Sequence, residues 1–178
     1  MTVPEQHAGL ALVNLGLGWD PEARRFLGGK KDIDLNAAAL LFAGNVLVDT
    51  VYHEQLLSQC GAVRLLGDSV TGEGDGDDEV ITVDLTRLAD GVTTVIFLVT
   101  SYSGQSFEQI GNAFCRVLDG MTGVEISRYH LDNGPDRTGF VVGKLVGTPT
   151  GWGFQPLGVA IEANHPAEAI SQLGPYLY

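Results

Sequence analysis

The sequence predicts an all-β fold, an antiparallel β-sandwich of about eight strands with one short C-terminal helix. Three observations predict it. Short runs of β-branched, aromatic and aliphatic residues follow one another along the chain, bounded by Gly, Asn or Asp at turn positions. One run, Thr93 to Tyr102, is apolar on both faces, as a central strand buried on both sides requires. Helix start and stop signals stand close together near the C-terminus and leave room for one short helix.

Taken in order, Leu10 to Leu17 is apolar apart from Asn14 and is broken by Gly18, Trp19, Asp20 and Pro21, the pattern of a strand and its turn. Glu22 to Lys31 reads as a mobile polar connection. From Asp32 to Phe42 the chain first alternates. Ile33, Leu35, Ala37 and Ala39 fall on one face and Asp32, Asp34 and Asn36 on the other, which lines up three oxygen-bearing side chains along one edge of a sheet. A turn at Gly44 and Asn45 leads into Val46 to Tyr52 as a hairpin. Val63 to Leu66 enters the stretch Gly67 to Glu79, and Val80 to Leu85 leaves it. Beyond the central strand come a short turn or helical piece around Phe107 to Ile110, then Asn112 to Leu118, Val124 to Leu131, Phe140 to Val146 and Trp152 to Ile161. Asn164, His165 and Pro166 open the terminal helix, Ala167, Ile170 and Leu173 give it an apolar side, and Gly174 stops it.

A chain of 178 residues suits a single domain spanning 1–178 with its own hydrophobic core. A net charge of −12 and a pI near 4.5 exclude non-specific binding to nucleic acid or anionic lipid, both of which would repel it. Cations and basic partners are favoured instead. Cys60 and Cys115 stand without a CxxC pair, and the opening Met-Thr-Val-Pro-Glu-Gln-His carries no apolar signal segment, so a cytoplasmic protein with reduced thiols is expected. The longest apolar run, Val95 to Val99, is far too short to span a bilayer, so no direct membrane insertion is expected. His7, His53, His130 and His165 are scattered singly and receive no role; Trp19 and Trp152 are read as core.

The most unusual stretch is Gly67 to Glu79, which carries Asp68, Glu73, Asp75, Asp77, Asp78 and Glu79 with Gly67, Gly72, Gly74 and Gly76 among them and no Lys or Arg. Charge runs are usually solvated surface. Here the acids are interleaved with glycine, the stretch is closed at both ends by strand-like sequence, and a second oxygen-rich edge exists at Asp32, Asp34 and Asn36. Crowded carboxylates repel unless a cation lies between them, and an all-oxygen donor set suits a hard cation. Calcium is preferred over magnesium because it accepts more oxygens in flexible geometry. Other chemistries fit poorly. A phosphate loop needs Lys after its last glycine, where Glu73 follows Gly72. A nucleophile elbow on Ser69 needs Gly at position 71, where Thr71 stands. An EF-hand begun at Asp32 has Ala37 in place of its Gly and Ala43 in place of its bidentate Glu. An aspartate-nucleophile phosphohydrolase places its Asp pair after a buried strand, whereas Gly-Gly-Lys-Lys precedes Asp32-Ile-Asp34.

With this stretch, the Asp32-Ile-Asp-Leu-Asn36 segment and the Leu-Gly-Trp-Asp20 segment in view, the chain resembles the TerD-type tellurium-resistance and stress-response family. Val51-Tyr-His53 and Ser106-Phe-Glu-Gln-Ile-Gly-Asn-Ala-Phe-Cys-Arg-Val117 extend the likeness, which runs from about Leu12 to Ala160. The resemblance implies a β-sandwich with two adjacent Ca2+ ions held between the Asp-x-Asp segment and the acidic stretch. Carried over, the ligands are Asp32, Asp34, Asn36, Asp68, Glu73, Asp75, Asp77, Asp78 and Glu79, helped by backbone carbonyls of the glycine-rich stretch. Two departures stand out: family members usually begin with a further glycine-rich strand not found here, and commonly carry Ser where Asn36 stands. The second keeps an oxygen ligand. Resistance to tellurite and other stresses is implied, but no reaction. The expectation is therefore a non-enzymatic module in which calcium orders the acidic stretch and presents a surface to a protein partner in a stress-response assembly. The alternative is a metal-dependent hydrolase in which one of the same carboxylates acts as base on a metal-bound water.

Overall fold

The computed structural model describes residues 9–19, 33–67, 77–132 and 134–177. They build two five-stranded antiparallel sheets packed face to face. The first sheet holds β1 (Leu12–Gly18), β4 (Val63–Leu66), β5 (Glu79–Asp84), β7 (Phe114–Asp119) and β8 (Glu125–His130) in the order β4-β5-β1-β7-β8. The second holds β2 (Leu35–Ala43), β3 (Val46–Val51), β6 (Thr94–Ser101), β9 (Gly139–Thr148) and β10 (Gly151–Ile161) in the order β10-β9-β6-β2-β3. Every strand-like run forms its own strand, which makes ten among the described residues rather than about eight.

Hydrophobic patterning explains the two layers. In the first sheet the strands alternate, and Val13, Leu15 and Leu17 of β1, Ile81 and Val83 of β5, and Cys115 and Val117 of β7 enter the space between the sheets. In the second sheet both faces are covered. Leu35, Ala37, Ala39 and Leu41 of β2 join the inter-sheet core, while Ala38, Leu40 and Phe42 join a second core on the outer face. All eight residues of β6 are buried, so the run that is apolar on both faces is indeed central. What covers that outer face is the C-terminal segment. A four-residue helix, α1 (Pro166–Ala169), begins at His165, whose Nδ1 accepts a hydrogen bond from the Ala167 N–H at 3.1 Å, and two 3-10 turns follow it. Ala169 and Leu173 are buried there, whereas Ala167, expected on the apolar side, is exposed. The buried residues of this segment are Pro166, Ala169 and Leu173, so the side turned to the sheet starts one position earlier than the sequence pattern suggests; docking on the outer face sets that phase. Lys144 Nζ on β9 donates to the Tyr176 carbonyl at 2.7 Å and fastens the segment from below.

Strand β2 begins at Leu35, so Asp34 stands just ahead of the strand, and β2 lies inside its sheet between β6 and β3. Asp32 and the connection Glu22 to Lys31 lie outside the described residues. The registers Leu17↔Glu79, Leu35↔Ser101 and Ala39↔Val51 place the end of β1, the start of β5, the start of β2 and the ends of β3 and β6 at one end of the sandwich. Trp19 joins the sheets there, its Nε1–H donating to the Ile33 carbonyl at 2.9 Å. Among the described residues no helix is long and apolar enough to cross a membrane.

Phe97→Ala in the middle of β6 should destabilise the protein by about 3–5 kcal/mol in urea denaturation, because a fully buried aromatic side chain leaves a cavity in a sheet covered on both sides. The cysteines should differ sharply toward a disulfide reagent such as DTNB. Burial pushes the Cys115 thiol up to about 12; burial also raises the Cys60 thiol, but hydrogen bonds from Ser58 and nearby backbone outweigh it and bring it below its ordinary value. One thiol should therefore react in the folded protein and two after unfolding. Above the ordinary thiol range the unfolded chain loses a proton that folded Cys115 keeps, so this group lowers stability as pH rises toward 12.

Candidate functional site

Three acids in succession, Asp77, Asp78 and Glu79, bring the chain out of the acidic stretch and into β5, and each goes to a different place. Asp77 lies on the outer face of the first sheet, over Gly16 of β1. Its carboxylate is gripped by the Arg116 guanidinium of β7, with Nη2 at 2.8 Å from Oδ2 and Nε at 3.1 Å from Oδ1. Gly16 and Arg116 are register partners, so the glycine leaves the hole into which the carboxylate folds. A Cβ at position 16 would come within 2.5 Å of Asp77 Oδ1.

Asp78 turns back to the end of β1, where its Oδ2 accepts the Trp19 N–H at 2.9 Å. Burial pushes its carboxyl above the ordinary range; the Trp19 hydrogen bond works against that and the neighbouring Asp77 charge adds to it. Glu79 points inward. It is fully buried between the sheets, with Oε1 taking the Ala37 N–H of β2 at 3.4 Å. A short run of sequence thus touches the outer face of one sheet, the end of β1 and a strand of the opposite sheet.

Asp34 stands at the same end, held by its backbone: its N–H donates to Ser103 Oγ and its carbonyl accepts the Tyr102 N–H, both at 2.9 Å. Asn36 Nδ2 donates to Asp34 Oδ1 at 3.3 Å, so the structure brings these two together. It does not bring Asn36 to Glu79. By strand alternation Asn36 shares the outer face with Ala38 and Leu40, whereas Glu79 approaches from the inter-sheet side with Ala37. Asp68, Glu73 and Asp75 lie outside the described residues, as does Asp32. Among the described residues Asp34, Asn36, Asp78 and Glu79 bring side-chain oxygens to this end of the sandwich, and a charge there that burial disfavours is one that a hard cation would relieve.

A second cluster escaped sequence reasoning. The turn Tyr52 to Gln55, closed by two backbone hydrogen bonds of 3.0 Å, holds His53 and Glu54 at its tip beside His165. The two histidines are remote in sequence, and only the packing of the C-terminal segment on the second sheet joins them. The Val51-Tyr-His53 segment was the one signal available.

The class of protein is thus a two-sheet antiparallel β-sandwich whose acid-rich chain entry is anchored to both sheets at one end. The chain belongs to the TerD family: the TerD domain model matches residues 1–167. It is 42% identical over 166 residues to the tellurium resistance protein TerZ of Serratia marcescens, covering 90% of this chain and 86% of that one. It is 32% identical over 180 residues to the stress response protein SCP2 of Bacillus subtilis, covering 93% and 90%. The crystal structure of a homologue of telluride resistance protein (TerD) from Streptomyces coelicolor A3(2) superimposes with a TM-score of 0.81 over 93% of this chain and 98% of that one; at 22% identity that likeness concerns the fold.

Gly16→Ala and Arg116→Ala disturb one contact from two sides. Each should destabilise the protein by about 1–3 kcal/mol in chemical denaturation, and the double variant should lose clearly less than the sum. Strict additivity would mean that the Asp77 carboxylate is not seated over Gly16.

Proposed function

We propose that this protein is a calcium-binding module of a stress-response system, tellurite resistance included, in which Ca2+ orders the Gly67–Glu79 stretch and thereby presents a surface to a protein partner. The observation that carries the reading is that Asp34, Asp78 and the exit of the acidic stretch all stand at one end of the sandwich and offer carboxylate oxygens there. Family membership supports the stress-response setting.

Within this reading Asp32, Asp34, Asp68, Glu73, Asp75 and Asp78 supply carboxylate oxygens to two ions. Asp77, Glu79 and Asn36 support them: Asp77 through its Arg116 pair, Glu79 through its seat on β2, and Asn36 by orienting the Asp34 carboxylate. Calcium would supply positive charge to the crowded acids; everything else is done by the chain. Ordering the stretch then acts on both sheets, because its exit is already fastened to both.

The thermal midpoint should rise with free calcium and fall on chelation, by an amount equivalent to about 2.7 kcal/mol for one site at a hundred times its dissociation constant. An unchanged midpoint would overturn the proposal. Asp78→Asn separates the metal from the fold. Asn keeps an acceptor for the Trp19 N–H and removes a charge that burial and Asp77 disfavour, so the calcium-free variant should be as stable as the parent or more so, yet gain less from calcium. The sign with pH agrees. A carboxyl raised in the folded state costs stability above its folded pKa, so the calcium-free parent should recover that cost as pH falls through it, and Asp78→Asn should not.

A further inference from the structure

The cluster at the ends of β3 and β6 has a chemistry of its own. His53, Glu54 and His165 each offer a donor atom, and these lie within 4.8 Å of one another. His53 Nε2 is 3.7 Å from Glu54 Oε1. Tyr52 Oη donates to the other carboxylate oxygen, Glu54 Oε2, at 3.1 Å, which leaves Oε1 toward the imidazole. The rings of Tyr52 and Tyr102 stand edge-on to His53 at 5.2 and 5.3 Å, and His165 lies 5.9 Å from His53, centroid to centroid.

We propose that His53, Glu54 and His165 bind a borderline divalent transition-metal ion, for which Zn2+ is the probe. Two imidazoles and one carboxylate form the donor set of zinc sites that keep a fourth position open for water or another ligand. Imidazole nitrogen selects such ions over calcium, so this site and the acidic end take different metals. Ligands about 2.0–2.2 Å from a tetrahedral ion stand roughly 3.3–3.6 Å apart. His53 and Glu54, at 3.7 Å, already approach that spacing, the three donors together lie within 4.8 Å, and Glu54, exposed at the tip of its turn, gives the ion an entry path and the freedom to close on it. The Tyr52 hydroxyl is the outer-sphere hydrogen bond that orients a ligating carboxylate.

Two features set the strength. His165 Nδ1 now caps α1 through the Ala167 N–H, and a metal on this ring takes that role away, either by occupying Nδ1 or by requiring a proton there. His53 Nδ1 is buried without a hydrogen-bond partner, so a ring ligating through Nε2 lacks the acceptor that usually steadies it. Micromolar affinity follows, in place of the far tighter binding of structural zinc. The ion would clamp the terminal helix to the turn after β3.

Titrating Zn2+ into the tag-free full chain at saturating Ca2+ should reveal one micromolar site. His53→Ala and His165→Ala should each weaken it roughly tenfold or more, and Co2+ in the same site should give visible absorption bands that both variants lose. Asp34→Asn and Asp78→Asn should leave it intact, which keeps the result distinct from the calcium proposal. Because His165→Ala also removes a helix cap, metal-free melts check that variant's fold, and His53→Ala leaves the cap in place. No Zn2+ binding by the parent, or binding unchanged in both histidine variants, overturns the assignment.

Discussion

The carboxylate of Glu79, removed from water between the two sheets, is the contact on which this end of the molecule depends. A buried carboxyl group is costly unless its oxygens are hydrogen-bonded or paired, so its position is fixed by the few groups able to do so. The Ala37 N–H of β2 is one of them, and it belongs to the sheet opposite the one that carries Glu79. The start of β5 is thereby tied across the sandwich. Asp78 and Asp77, immediately before it, are committed in turn to Trp19 and Arg116. The exit of the acidic stretch is thus fastened to both sheets.

The two layers play unequal parts. The first sheet exposes an outer face, and there Gly16 and Arg116 together make a seat for Asp77. The second sheet is covered on both faces, and its outer cover, the C-terminal segment, is held by Ala169, Leu173 and the Lys144–Tyr176 hydrogen bond. That cover carries His165 to His53. Packing needed to bury the outer face of β2, β6 and β9 therefore also assembles a group of nitrogen donors.

Oxygen and nitrogen donors end up as neighbours on one sheet. Asp34 is linked through its carbonyl to the Tyr102 N–H, and the Tyr102 ring touches His53. The donor types differ enough that hard and borderline ions would sort between them without competing. The contact through Tyr102 gives the two clusters a shared backbone segment at the end of β6.

The sequence by itself determined the sandwich, the central place of Thr93 to Tyr102, the hairpin at Gly44 and Asn45, and the charge density of the acidic stretch. Each of these is written in local chemistry: side-chain alternation, turn residues and charge density are read within a few positions. The family likeness was legible for the same reason. Only the tertiary structure decided that Asn36 faces away from Glu79, that Asp77 belongs to Arg116, that Ala169 and not Ala167 is buried, and that His53 meets His165. Those outcomes depend on which strands become neighbours and on how the terminal segment docks on the second sheet. Contacts between residues remote in the chain leave no periodic trace in the sequence, so scattered histidines and a run of equivalent-looking acids acquire distinct roles only when the sheets close on each other.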